Sequence, residues 1–159
     1  MNLVEVMNEG VNGGTVAVDD LLKDLPGIAI LLREARGAYG GAIREAVALA
    51  GMQPLPINGP LIVGGLHEGV PFPRLVSQRK QSIIKYETIE KLFEAGYLSG
   101  EVDNPTLTES GHEVSHVMIE AVTTLTGELR TRLGDDGMES FLVGLLFLIE
   151  VKETKEESI

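Results

Sequence analysis

The sequence predicts a mainly α-helical domain that carries one small β-hairpin. Three observations point there. Apolar residues recur at spacings of three and four over two long stretches near the ends of the chain. Glycine and proline punctuate shorter helical pieces between them, and one segment around Asp103-Asn104-Pro105 changes to an extended pattern.

Residues 1–17, rich in Asn, Gly and Val without sustained periodicity, read as a flexible arm. From Val18 the helical spacing begins, with Leu21, Leu22, Leu25, Ile28, Leu31, Leu32, Ala35, Tyr39, Ile43, Ala46, Val47 and Ala50 on one stripe, broken near its start by Pro26-Gly27. Gly51 ends it. Asn58 is placed as an N-cap with Pro60 in the first turn of a short apolar helix, Leu61 to Leu66. After Gly69, Pro71 and Pro73, residues 72–95 read as two helices with a turn near Ser77 to Lys80, and Ile83, Ile84, Ile89, Leu92 and Phe93 form the inner face of the second. Two extended pieces between Gly96 and Thr108 flank the Asp-Asn-Pro turn. The chain is then helical from about Glu109 to Leu133 and, across Gly134-Asp135-Asp136-Gly137, from Met138 to Lys152. The charged residues from Glu153 are expected to fray.

A unit of short helices whose last one runs into a two-stranded hairpin has the layout of a winged helix-turn-helix. The fold class is therefore mainly α: a winged helix-turn-helix over 58–108, with long N- and C-terminal dimerisation helices over 18–51 and 109–152, and a short β-hairpin wing. Residues 18–152 make a single domain, with 1–17 an arm and 153–159 a charged tail. The run Phe141 to Ile149 is apolar almost all round the helix and has to be covered on more than one side, which fits a contact with a second copy.

Composition removes several classes of function. The chain has 159 residues, 43% of them hydrophobic and 23% charged, which suits one globular domain. It has no cysteine, and hence no disulfide, thiolate metal site or cysteine nucleophile. The longest apolar run has nine residues, against about 20 for a membrane-spanning helix. The start Met-Asn-Leu-Val-Glu lacks the basic region of a secretory signal, so no membrane association and a cytoplasmic location are expected. A net charge of -11 opposes polyanion binding by the surface as a whole.

Residues 72–86 reverse that sign locally. Arg74, Arg79, Lys80 and Lys85 are four of the chain's 13 basic residues, and no acid lies among them. Gln78, Gln81, Ser82 and Tyr86 add polar groups. Phosphate contact needs the first kind of residue and base reading the second. The plainer account, a solvated helix face, competes with this one, and Glu87, Glu90 and Glu94 confine any DNA contact to the start of the helix.

Leu31-Leu32-Arg33-Glu34-Ala35-Arg36-Gly37-Ala38-Tyr39, Leu55-Pro56-Ile57-Asn58-Gly59, Glu94-Ala95-Gly96-Tyr97-Leu98 and Leu107-Thr108-Glu109-Ser110-Gly111 follow one another as landmarks do in MarR-type transcriptional regulators, which the chain resembles over roughly 25–149. The resemblance implies a homodimer held by the terminal helices, a winged helix-turn-helix in each subunit and often a small-molecule effector pocket between the two parts. Tyr39, Ile62 and Leu66 are candidates for that pocket, though plain core residues explain them as well. The implied partners are double-stranded DNA, a second copy of the chain and a small-molecule effector. For DNA the candidates are Arg74, Arg79, Lys80, Gln81, Ser82, Lys85 and Tyr86. Two features depart from the family: the wing is several residues shorter, carrying Glu101 and Asp103 where the family places a minor-groove arginine, and the helix-turn-helix itself is spelled unusually.

Two other functions fit parts of the sequence. An acidic dimer of this fold could act on a protein partner, or by mimicking DNA. His112-Glu113-Val114-Ser115-His116 spells H-E-x-x-H, which on a helix puts two histidines on one face as zinc ligands, with Glu113 to polarise water. A hydrolase needs a third ligand, for which Glu120, Glu128 and Glu139 are candidates, and a substrate cleft framed by a sheet that the sequence does not supply. A regulatory or adventitious metal on the pair of His112 and His116 is a further alternative, but two exposed or interface histidines on a dimerisation helix are the simpler reading, so neither an enzyme nor a metal is expected. His67 stands alone in the sequence and reads as a core or pocket-rim residue. Gly10 to Gly14 and Gly134 to Gly137 are turns rather than phosphate loops, and no cofactor is implied.

Overall fold

The computed structural model describes residues 28–77 and 86–157, with side chains over 28–76 and 86–151. The arm over 1–17, the first turns of the N-terminal helical stretch, and Gln78 to Lys85 lie outside the described residues. The chain divides into two compact units, residues 1–38 and 39–159. Of the first, the described part is the beginning of helix α1 (Ile28–Leu49), where Arg33 pairs with Glu34 at 3.0 Å.

In the second unit α1 is followed by α2 (Gly59–His67), α3 (Phe72–Ser77), α4 (Tyr86–Glu94), strands β1 (Leu98–Glu101) and β2 (Asn104–Leu107), and α5 (Glu109–Glu157). The described residues are thus mainly helical with one two-stranded antiparallel hairpin. None of its described helices is long and apolar enough to cross a membrane.

The same device closes α1, α2 and α4. Gly51, Gly69 and Gly96 take φ of 68°, 77° and 77°, a left-handed conformation that costs glycine little. The following residue then donates its N–H back to the helix: Met52 to Val47 O at 3.1 Å, Val70 to Gly65 O at 2.9 Å and Tyr97 to Leu92 O at 3.0 Å. At the start of α2 Asn58 stands where the sequence places it, with Pro60 in the first turn. It occupies the N-cap position, but at φ 65° and without a side-chain cap hydrogen bond, because the chain makes a tight turn in which Gly59 N–H reaches Pro56 O at 2.8 Å.

Ile62, Val63, Leu92 and Val114 are fully buried, and Val47, Phe72, Leu75, Ile89, Tyr97, Leu98 and Met118 complete the core around them. Each element from the end of α1 to the first turns of α5 except β2 contributes at least one of these side chains, and β2 packs the partly buried Leu107 against them, so the region is a single packed body. Close approach of α2 and α3 depends on Gly65, where a Cβ would overlap the side chain of Leu75. Tyr97 anchors the start of the hairpin: its ring is 2% exposed and its hydroxyl donates to Gln53 O. Burial raises the phenol's pKa above its usual value.

The hairpin register pairs Leu98 with Leu107, Ser99 with Thr106, Gly100 with Pro105 and Glu101 with Asn104. Val102 and Asp103 therefore make the turn, not Asp103-Asn104-Pro105. Pro105 is tolerated because a two-stranded sheet has only edges, where a missing N–H need not break a ladder. Thr108 then caps α5, accepting from Gly111 N–H at 3.0 Å and donating to Gly96 O at 2.6 Å. The helix runs to Glu157 with a sharp bend at Gly134 (φ 69°, ψ 176°), so the backbone stays helical where fraying is expected. Arg130 Nε donates to Asp135 Oδ1 at 2.7 Å across the bend. The paired charge raises the Arg130 pKa and holds the Asp135 carboxyl below its usual value.

Candidate functional site

Two of the seven residues named for DNA contact are described. Arg74 is exposed on α3, and Tyr86 is 63% exposed at the first described position of α4. Arg79, Lys80, Gln81, Ser82 and Lys85 lie outside the described residues. Beyond Tyr86 the outer face of α4 turns acidic. Thr88, Ile89 and Leu92 take the core side and leave Glu87, Glu90, Lys91 and Glu94 exposed. Lys91 is held by Glu87 at 2.6 Å, and this pairing raises its pKa. The hairpin tip presents Glu101, Val102 and Asp103 to solvent. Glu87 already stands in the first turn of α4 and Glu90 and Glu94 follow it, so phosphate is repelled along the described helix beyond Tyr86.

The three effector-pocket candidates line neither of the two described grooves. Ile62 is 0% exposed in the centre of the core, Leu66 packs on the core's edge, and the Tyr39 hydroxyl lies 3.1 Å from Thr126 Oγ1. A different surface is concave: an open groove of about 650 Å³ between the C-terminal half of α1 and α5. Ala42, Ala46, Leu49, Val117, Ala121 and Leu125 line it, with Glu45, Glu120 and Glu128.

His112 and His116 project from one face of α5 and are exposed, as i,i+4 residues around the buried Val114 and Ser115. The reading of His67 as a lone residue is corrected. At the last position of α2 its Nδ1 lies 3.3 Å from His112 Nδ1, one N–H donating to the other nitrogen. Its ring stands edge-on to both partners, with centroids 5.5 Å from His112 and 4.9 Å from His116. All three histidines of the chain are gathered at the α2–α5 junction. The sequence signal was indirect: His67 follows the fully buried Val63 by four residues, and so continues the stripe of α2 that faces the core.

The hydrolase constellation is not assembled. Glu120 and Glu128 line the groove, Glu139 follows the bend, and among the described residues no three His, Cys, Asp or Glu side chains converge on one metal position as they stand. The unassigned surface is the far part of α5, where Leu142, Val143, Leu146, Phe147, Leu148 and Ile149 are 45–63% exposed in the single chain. No family model matches the chain, and neither does any curated protein or solved structure.

Proposed function

We propose that the protein is a homodimeric, sequence-specific DNA-binding regulator of the MarR type. One observation carries the reading: α2, α3, α4 and the hairpin follow one another around a single core, and the segment joining α3 to α4 sits within 15 residues that hold four bases and no acid. Such a segment at the start of a helix that leads into a hairpin is where a winged helix-turn-helix meets the major groove. Arg74, Arg79, Lys80 and Lys85 hold the phosphates; Gln81, Ser82 and Tyr86 face the bases. The exposed apolar stretch of α5 joins two copies, whose recognition helices then meet half-sites about 34 Å apart. An effector acts by shifting the spacing of those helices. Lys80→Glu with Lys85→Glu should weaken binding to the duplex upstream of the protein's own coding sequence and leave the dimer intact. Unchanged affinity in that variant would remove these residues from the interface.

The acidic outer face of α4 and the acidic wing tip favour a second reading, in which a dimer of the same fold acts on a protein partner or occupies that partner's DNA site. The charge of the dimer face decides between them: a continuous positive stripe serves DNA, a negative one serves mimicry.

A further inference from the structure

DNA binding uses none of the three histidines, yet they stand together at the junction of two helices that the hydrophobic core holds in place. We propose that His67, His112 and His116 form a binding site for a divalent first-row transition metal ion of the zinc class. Two imidazole nitrogens facing each other at 3.3 Å are joined by one N–H donating to the other nitrogen, and a metal ion can take the place of that proton. Two nitrogens bound at about 2.05 Å to a tetrahedral zinc ion stand about 3.3 Å apart, so His67 and His112 are already at ligand spacing.

His116 supplies the third donor. It lies one turn beyond His112 on the same face, with its ring centroid 4.9 Å from that of His67. As they stand the three rings do not converge on one ion position, and the His116 ring has to turn to bring its nitrogen in. His116 is exposed and can turn about its own side-chain torsions, while the backbone beneath is fixed by Val63, Val114 and Ser115, each 0% exposed. Water completes the tetrahedron. The donors are all neutral imidazoles, which select zinc, copper, nickel or iron over magnesium and calcium. His112 and His116 alone would make a weak two-point chelate of the kind any i,i+4 histidine pair offers. His67, 45 residues earlier in the chain than His112, turns it into a site that exists only in the folded protein.

The test titrates untagged, full-length protein with Zn²⁺ in a calorimeter and follows thermal unfolding with and without the ion. One ion per chain is expected, with a rise in Tm that a chelator reverses, since the metal binds the native state only. His67→Ala, which leaves the H-x-x-x-H pair intact, should weaken zinc binding by about tenfold or more, and His116→Ala likewise. His67→Gln serves in place of the alanine variant if circular dichroism shows that variant unfolded. With Co²⁺ as the probe, the visible bands of a tetrahedral ion should appear in the wild type and vanish in the His67 variant. Absence of zinc uptake at micromolar concentrations would overturn the proposal, as would a His67 variant that binds as tightly as the wild type.

Discussion

Replacing Gly111 by alanine tests the joint that sets the hairpin against α5. In an ordinary helix the exchange would stabilise, since alanine is favoured over glycine by roughly 0.8–1 kcal/mol. Here a Cβ at Gly111 would lie well inside 3.0 Å of the Tyr97 carbonyl oxygen and 3.0 Å from Leu107 Cδ2. The carbonyl is backbone and cannot rotate aside. It also accepts from Thr108 N–H at 3.0 Å, while Gly111 N–H donates to the Thr108 hydroxyl at 3.0 Å. Overpacking costs about 1–3 kcal/mol, and stretching either hydrogen bond adds about 0.5–1.5 kcal/mol. Set against the gain in propensity, the net loss is about 0.5–3.7 kcal/mol. Gly127, also within α5, has nothing within 4 Å of its Cβ position, so Gly127→Ala should stabilise by about 0.5–1 kcal/mol. Urea unfolding of both variants, read by circular dichroism, should shift the midpoints in opposite directions at constant m-value. A Gly111→Ala protein as stable as the wild type would refute the packing of the hairpin against the start of α5.

Two further outcomes are expected. Leu146 and Phe147 are 63% and 61% exposed in one chain, and covering that surface in a dimer contributes about 1–2 kcal/mol per side chain. With both copies affected, Leu146→Asp together with Phe147→Asp should weaken dimerisation roughly a thousandfold or more, as sedimentation equilibrium would show; an unchanged mass would place the dimer contact elsewhere. The Asp135 carboxyl, held below its usual pKa by Arg130, adds stability that is present above the ordinary aspartate range and is lost as pH falls through the lowered value. Its titration by NMR should move up to the ordinary aspartate range in Arg130→Gln, whereas an identical midpoint in the two proteins would show that the ion pair does not form in solution.

What the sequence revealed was mostly local in origin. Gly51, Gly69 and Gly96 mark helix ends because a left-handed residue there is nearly always glycine. The hairpin was legible from its turn residues, but its register was not. Asp-Asn-Pro is a strong turn signal, and the packing of Leu98 and Pro105 against the core moved the turn to Val102-Asp103. Asn58 located the start of α2 but not its backbone geometry, as asparagine serves equally as a side-chain cap or as a left-handed residue. The histidine cluster was half visible. The spacing of His112 and His116 is local, while the approach of His67 depends on how α2 packs on α5, and no short-range pattern encodes that. The groove between α1 and α5 was missed because small residues such as Ala46 and Ala121 look like ordinary core until the helices are placed.

The most direct test of the regulator reading is fluorescence anisotropy of the untagged protein on its own upstream duplex, across a salt series and against a random duplex of equal length. If Arg74, Arg79, Lys80 and Lys85 of both copies contact phosphate, log affinity should fall against log salt with a slope of up to about -7, and the upstream duplex should be preferred. An acidic protein that leaves both duplexes unbound at low salt would contradict DNA binding and point to a protein partner instead.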